Sequence, residues 1–189
     1  HLMQSNNTAK KIEVIAYASD RGLCGSFNTN LIANLDSKIT AIRRDGYVAS
    51  IFLVGRKLKD YYQRRNVEIS HAMVGVMNNF DYLLANEIAE TLVKQYLQGE
   101  FKEVWLLTTR FMSVAKQIPT LTQFLPLVHE TAQEDRNDKN STGYGYLIEP
   151  DPVTLFGRLI PRSLTIMIYQ AMLESVTSEN AARMQAMDN

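Results

Sequence analysis

The chain has 189 residues and a mass of 21.5 kDa, enough for one domain with a sizeable hydrophobic core. Its 20 basic and 20 acidic residues cancel, which argues against the broadly basic surface of a nucleic-acid-binding protein. Because Cys24 is the only cysteine, an internal disulfide is excluded. Apolar runs all fall short of the roughly 18 residues that a membrane-spanning helix requires, and no signal peptide is recognised.

Short apolar runs alternate with helical patterns along most of the chain, which predicts an α/β fold with a mainly parallel sheet. Strands are predicted at Ile12–Ala18, Val48–Val54, Val67–Val74, Val104–Thr108, Leu121–Val128 and Tyr144–Ile148. Helices are predicted from Phe27 to Ile42, from Arg56 to Arg65, from Phe80 to Tyr96 and from Pro152 to the last residue. The fold class is therefore a Rossmann-like three-layer domain followed by a long C-terminal helix.

Glycine and proline mark the expected ends of these elements. Gly46 and Gly99 are positioned as the residues that terminate helices. The polar stretch His129–Asn140 reads as an exposed loop or hairpin tip, and Asp151 suits the N-cap of the last helix, with Pro152 at its first position. Pro161 is expected to kink or interrupt that helix.

The C-terminal helix carries apolar residues nearly all the way round, so something must cover it. One apolar stripe and further apolar positions on other faces comprise Leu164, Ile168, Met172 and Val176, with Ile166, Met167, Tyr169 and Leu173. Two interpretations remain open at this stage. The helix is either a core helix of the same domain with a frayed end, or one half of a helical hairpin or coiled coil.

The turn Ser19–Asn28 joins a predicted strand to a predicted helix, where α/β folds place ligands. Gly22 and Gly25 do not form a dinucleotide or phosphate-loop motif, so a tight structural turn is the favoured interpretation over an anion site. Cys24 would need His71 or His129 as a base to act as a nucleophile, and a buried structural thiol is favoured.

The segment from Arg56 to Arg65 has five basic residues and one acidic residue, a local charge of 5 − 1 = +4. It is read first as a solvated helix face and second as a site for an acidic partner. Across the chain, no pattern of residues predicts a catalytic site, a metal site or a cofactor.

Several segments together resemble one family, and they occur in its order along nearly the whole chain. They are Ser19–Asn28 (SDRGLCGSFN), Phe52–Lys57 (FLVGRK), Tyr146–Pro152, Leu155, Leu159, Pro161–Arg162, Tyr169–Ala171, Glu174–Ser175, Ser178–Glu179 and Ala182–Met187. This combination resembles the gamma subunit of F-type ATP synthases. One departure is Ser26, which stands where that family usually has a further glycine.

The resemblance implies a non-catalytic rotor subunit that couples ion-driven rotation of the membrane ring to ATP synthesis or hydrolysis. The implied partners are the alpha and beta subunits of the catalytic ring, the epsilon subunit, the membrane ring of c subunits and an N-terminal helix of the same protein. That helix would form an antiparallel coiled coil with the C-terminal one. The implied location is peripheral, on the cytoplasmic face of the bacterial inner membrane or an equivalent energy-transducing membrane.

The same resemblance suggests a division of the chain and a set of contact residues. Residues 1–9 are expected to be a disordered lead-in left by cloning, 10–150 the α/β foot of the central stalk, and 151–189 a truncated strand of the shaft. The expected partner contacts are Asp20, Arg21, Gly22, Leu23, Cys24, Gly25, Glu179, Arg183 and Met184. For the last three, ordinary pairing with the N-terminal helix is an equally open interpretation.

Two other functions compete with this one. The first is a small Rossmann-like nucleotide-binding enzyme that uses the Gly22–Gly25 turn. The second is a free-standing adaptor that forms dimers through residues 162–189. Nucleotide affinity at the turn would favour the first, and a stable self-dimer would favour the second.

Overall fold

The structure is a computed structural model that describes residues 2–3, 6–127 and 152–188. The predictions made for His129–Asn140, Tyr144–Ile148 and Asp151 lie outside these residues. The strands are β1 (Lys11–Tyr17), β2 (Val48–Val54), β3 (Glu68–Met73), β4 (Glu103–Ser113) and β5 (Lys116–Leu125). The helices are α1 (Phe27–Arg44), α2 (Arg56–Tyr62), α3 (Tyr82–Leu97) and α4 (Pro152–Asp188).

The five strands form one sheet in the order β3-β2-β1-β4-β5. The pairs β1–β2, β1–β4 and β2–β3 are parallel, and only β5 runs antiparallel, as the partner of β4 in a hairpin. The prediction of a mainly parallel sheet between helices is therefore confirmed. The carboxyl ends of β1, β2 and β3 lie at one edge of the sheet, which gathers the turns that follow them.

Both faces of the sheet are covered, as the continuous burial of the central strands requires. On one face α1 packs through Leu31, Leu35 and Ile39, which are among the five apolar positions that predicted this helix. On the other face α3 and α4 pack over β1 and β4. Gly46 and Gly99 adopt positive φ angles of 84° and 83° directly after α1 and α3, as expected for residues that end helices.

The hairpin of β4 and β5 differs from the sequence-based prediction. Strand β4 continues to Ser113 instead of ending at Thr108, and β5 begins at Lys116 instead of Leu121. Pro119 lies within β5, which is possible because β5 is an edge strand and need not donate from every backbone nitrogen. Since β4 pairs with β1 only as far as Leu107, the rest of the hairpin projects past the carboxyl edge of the sheet.

Pro161 was expected to kink or interrupt the last helix, and the expectation of an interruption is wrong. Helix α4 runs through this residue and remains helical to Asp188. A proline in a helix interior costs about 3 kcal/mol. The burial of Leu164 and Ile168 directly after it offsets this cost, and the hydroxyl of Thr165 donates to the Pro161 carbonyl oxygen at 3.1 Å. No helix among the described residues is long and apolar enough to cross a membrane.

Helix α4 satisfies parts of both interpretations drawn from its sequence. Its inner face belongs to the main core, through Leu164, Ile168 and Met172. Its outer face leaves Ile166 46% and Leu173 42% exposed. The helix is thus a core helix of the domain that also carries an uncovered apolar stripe.

Candidate partner-binding site

Asp20 joins the ends of three neighbouring strands. Its Oδ1 atom accepts a hydrogen bond from the backbone N–H of Arg56, after β2, and another from that of Gly75, after β3, both at 2.9 Å. A carboxylate that accepts from two backbone N–H groups forms strong, charge-assisted bonds. One of the residues predicted to contact a partner therefore has a structural task, since it holds the loops of the carboxyl edge in place.

Gly55 allows β1 and β2 to come together beneath this clamp. Its φ angle is 110°, and a Cβ atom at this position would lie 2.2 Å from the carbonyl oxygen of Ala18. Only glycine fits such a backbone approach and such a φ angle. The Ala18 N–H donates to the Val54 carbonyl oxygen at 2.7 Å, so the two strands remain paired right up to the turn.

Cys24 is buried and does not face solvent, and its sulfur has two polar neighbours. The side-chain amide of Asn28 donates to its Sγ atom at 3.1 Å, and the Ser19 hydroxyl lies 3.7 Å from that sulfur. Ser19 Oγ also donates to the backbone carbonyl of Arg21 at 2.6 Å, which tightens the turn. The expectation of a buried structural thiol is confirmed, and His71 lies on β3, stacked on Phe52.

The end of α4 covers one side of this turn. Cys24, Phe27 and Ala182 form a small apolar cluster, and a Cβ atom on Gly25 would lie 3.8 Å from that of Ala186. Gly22 is open, because a Cβ atom there would meet only the Lys57 side chain at 3.9 Å. The end of α4 thus borders the space in front of the first turn of α1.

The tip of the turn points outward. Leu23 is 79% exposed and adopts a positive φ angle of 61°, which is unusual for a residue other than glycine. Its neighbour Arg21 is also exposed. The turn that Asp20 and Cys24 anchor therefore displays a large apolar side chain to solvent, which makes Leu23 a candidate contact residue.

The three predicted contacts on α4 have different environments. Glu179 is 6% exposed and accepts a hydrogen bond from Arg183 at 2.6 Å. In this ion pair the carboxylate is buried and the guanidinium group is partly exposed. Ser178, next to it, donates to the Thr109 carbonyl oxygen at 2.7 Å and fixes α4 to the hairpin. Met184 is 50% exposed and remains accessible to a partner.

The structure therefore divides the nine predicted contact residues into two groups. Cys24 and Glu179 are buried against the chain's own elements, and Asp20 serves as a clamp. Arg21, Leu23, Gly25 and Met184 are exposed, while Gly22 and Arg183 are half-buried. The described residues contain no group of three or more His, Cys, Asp or Glu side chains placed to hold a metal ion.

Comparison with known proteins adds a second line of observation. A family model described as ATP synthase matches residues 1–189, the whole of the chain. The chain belongs to the ATP synthase family. Within that family it is 36% identical over 187 residues to the ATP synthase gamma chain of Moorella thermoacetica, and 34% identical over 189 residues to that of Syntrophus aciditrophicus. The alignments cover 99% and 100% of this chain but 63% and 64% of those relatives, less than two thirds of their length.

Solved structures of ATP synthases share the fold. A chain of the Tetrahymena thermophila mitochondrial ATP synthase, from the central stalk with its c ring, superposes with a TM-score of 0.68 at 19% identity, over 95% of this chain and 76% of that one. A chain of the rotor of the Euglena gracilis mitochondrial ATP synthase gives 0.62 at 18% identity, over 97% and 68%. At these sequence identities the similarity supports the fold of this ATP synthase family member and no more than the fold.

Sequence reasoning missed three features of this site in the ATP synthase family member. The clamp by Asp20 spans 36 and 55 residues, and no local pattern predicts such bonds. The close approach of the backbones at Gly55 was also missed, although a glycine directly after an apolar strand is a sequence signal for it. The projecting hairpin was missed because residues 109–120 do not alternate cleanly between apolar and polar.

Proposed function

We propose that this chain is the gamma subunit of an F-type ATP synthase, the rotor of its central stalk. The subunit couples rotation of the ion-driven membrane ring to ATP synthesis or hydrolysis in the catalytic ring, and it catalyses no reaction itself. Support comes from the similarity to gamma chains over the whole of this sequence and from the shared fold. The competing nucleotide-binding enzyme lacks support, because Gly22 and Gly25 form no phosphate-binding motif and the curated relatives that this chain matches are gamma chains.

The observation that carries this proposal is the apolar stripe on the outer face of α4. Five exposed positions follow one another at intervals of seven residues, and four of them are large and apolar. They are Leu159, Ile166, Leu173, Asn180 and Met187. A repeat of seven places residues on one face of a helix and supplies one of the two positions per heptad that a coiled-coil seam uses. A lone polar residue in such a seam specifies its register.

The partner proposed for this stripe is the N-terminal helix of the longer gamma chain, in an antiparallel coiled coil. The curated relatives are longer than this sequence, so they contain the length of chain that a second helix needs. Helix α4 has 37 residues, which corresponds to about 55 Å. It offers a seam of several heptads, long enough for a stable pair.

The packing of α4 explains how torque would pass between the shaft and the foot. The inner face of the helix is buried in the core formed with α3 and β4. Ser178, in the C-terminal part of the helix, donates a hydrogen bond to the Thr109 carbonyl oxygen of the hairpin. Because protein interiors are close-packed, a twist applied to α4 displaces the sheet with it. In this proposal residues 10–150 form the foot, which contacts the epsilon subunit and the c ring, and 151–189 belong to the shaft.

The exposed tip of the turn, Leu23 with Arg21, is the proposed contact with the beta subunits of the catalytic ring, together with Met184. The alpha subunits complete the ring around the shaft. Methionine adapts to changing surfaces, which suits a rotor that meets similar subunits in succession. In such an assembly the chain is a peripheral protein on the cytoplasmic face of the bacterial inner membrane, or on an equivalent membrane.

Calorimetry with the epsilon subunit of the same enzyme, with ATP titrated in parallel, tests this proposal. We expect binding of epsilon in the micromolar range or tighter and no binding of ATP. Binding of ATP without epsilon would overturn the rotor function in favour of the nucleotide-binding enzyme. A stable self-dimer that Ile166→Asp disrupts, again without epsilon binding, would favour the adaptor.

A further inference from the structure

The hairpin of β4 and β5 ends in an apolar tip that the fold leaves uncovered. All residues from 110 to 116 are exposed. Four large apolar side chains at the tip are between 37% and 54% exposed: Phe111, Met112, Val114 and Ile118. A projecting edge hairpin of this kind promotes aggregation unless a partner covers it.

The charged residues of the hairpin itself, from Arg110 to Lys116, have a single sign. Arg110 and Lys116 flank the apolar side chains and are both exposed. Between Glu103 and Glu130 the sequence contains no acidic residue, although the whole chain is neutral. The tip therefore presents an apolar centre with a basic border, and electrostatic complementarity calls for a partner segment that is acidic as well as partly apolar.

The hairpin is continuous with the turn that carries Leu23. A cleft of about 150 Å³ lies where the two meet the end of α4, and its lining comprises Gly25, Ser26, Gln117, Ala182, Gln185 and Ala186. In the hairpin Gln117 lies directly opposite Phe111. A partner seated on the turn would thus find the root of the hairpin beside it, and Ser178 holds that root against α4 through the Thr109 carbonyl.

From these observations we propose that the hairpin tip is a second contact with the catalytic ring, where it binds an acidic, partly apolar segment of a ring subunit. This inference rests on the proposed rotor function and adds a contact to it. Met112 is the central residue of the contact, because it lies in the irregular part of the β4–β5 pairing, between Phe111 and Ser113, and is 54% exposed. Arg110 and Lys116 pair with carboxylates of the partner.

Photo-cross-linking in the assembled enzyme tests the contact. A benzophenone amino acid is placed at position 112 of the full-length chain, which is assembled with the alpha and beta subunits, epsilon and the c ring in membranes of the same source. The expected product joins position 112 to a peptide of a ring subunit that is rich in Asp and Glu. Cross-links to lipid, to the c ring, to epsilon or to a second copy of this chain would overturn the inference.

A second probe at position 23 separates this inference from the proposed function. If position 23 is cross-linked to the ring and position 112 is not, the rotor function stands and the hairpin contact is refuted. If neither position is cross-linked to the ring, the proposed function fails and the inference fails with it. Position 97 is the matched control, because Leu97 is 55% exposed at the far end of α3 and should not reach the ring.

Binding of full-length variants to the isolated ring of alpha and beta subunits gives an independent measurement. Met112→Asp should weaken binding about tenfold or more, because it removes apolar burial and adds a repelled charge. The double variant Arg110→Glu, Lys116→Glu should weaken binding similarly at low salt and less at high salt. Leu97→Asp should bind as the parent does, and equal binding by all the variants would overturn the inference.

Discussion

Replacing Glu13 by glutamine should make this protein more stable above pH 7 while changing its stability little in acid. Glu13 lies in the middle of β1 and is completely buried. The Ser70 hydroxyl donates to its Oε1 atom, whereas Oε2 has no well-aligned hydrogen-bond partner among the described residues. Burial raises the pKa of this carboxyl group from 4.5 to about 7, and the Ser50 and Ser70 hydroxyls and the Lys11 charge oppose the rise only partly.

The size of the effect follows from the difference between the folded and unfolded pKa values. Below about pH 4.5 the carboxyl group is protonated in both states, so its burial as a charge costs nothing. Between 4.5 and 7 the unfolded chain ionises first, and stability falls as the pH rises. Above pH 7 both states are ionised, and the full cost of about 3 kcal/mol is present.

Urea unfolding at pH 4.5, 6, 7 and 8 measures this difference. Glu13→Gln should match the parent within about 1 kcal/mol at pH 4.5 and exceed it by about 3 kcal/mol at pH 8. Glu100→Gln, at an exposed position, is the control and should leave the profile unchanged within about 0.5 kcal/mol. If Glu13→Gln instead lowers stability at pH 8, the carboxylate is held by favourable contacts and the reasoning about burial is refuted.

Three further changes test the carboxyl edge of the sheet. Gly55→Ala should lower the free energy of unfolding by at least about 2 kcal/mol in a urea titration, because the added Cβ atom would collide with the Ala18 carbonyl group. A variant as stable as the parent would contradict the 2.2 Å approach. Asp20→Ala should lower the free energy of unfolding by about 2 kcal/mol in the same assay, because two backbone N–H groups lose their acceptor. Asp20→Asn keeps an acceptor oxygen and should retain most of the stability. Equal losses in the two variants would show that the charge of Asp20 matters more than its hydrogen bonds. Leu23→Ser in the full-length chain should leave the melting temperature unchanged and lower ATP-driven ion pumping relative to ATP hydrolysis in membrane vesicles; unchanged coupling would count against the turn as a ring contact.

Local patterns in the sequence predict the helices and strands of the first hundred residues. The four-residue spacing of Phe27 and Leu31 predicted α1, and the continuous apolar run from Val48 to Val54 predicted β2. Both patterns are local properties of the chain, so they can be recognised without the fold. The sequence also indicated that the C-terminal helix carries more apolar surface than one neighbour can cover. The family resemblance rested on short segments such as Ser19–Asn28, whose residue types are readable without coordinates.

Long-range packing settles which residues of this turn are exposed. Asp20 and Cys24 occupy the same turn as Leu23, yet long-range contacts with Gly75 and Ala182 hold the first two against the fold, while Leu23 stays 79% exposed. The continuity of α4 through Pro161 likewise depends on burial against α3, which local propensity does not contain. Exposure is a property of the assembled fold, because whether a side chain meets solvent depends on chain segments that are distant in sequence.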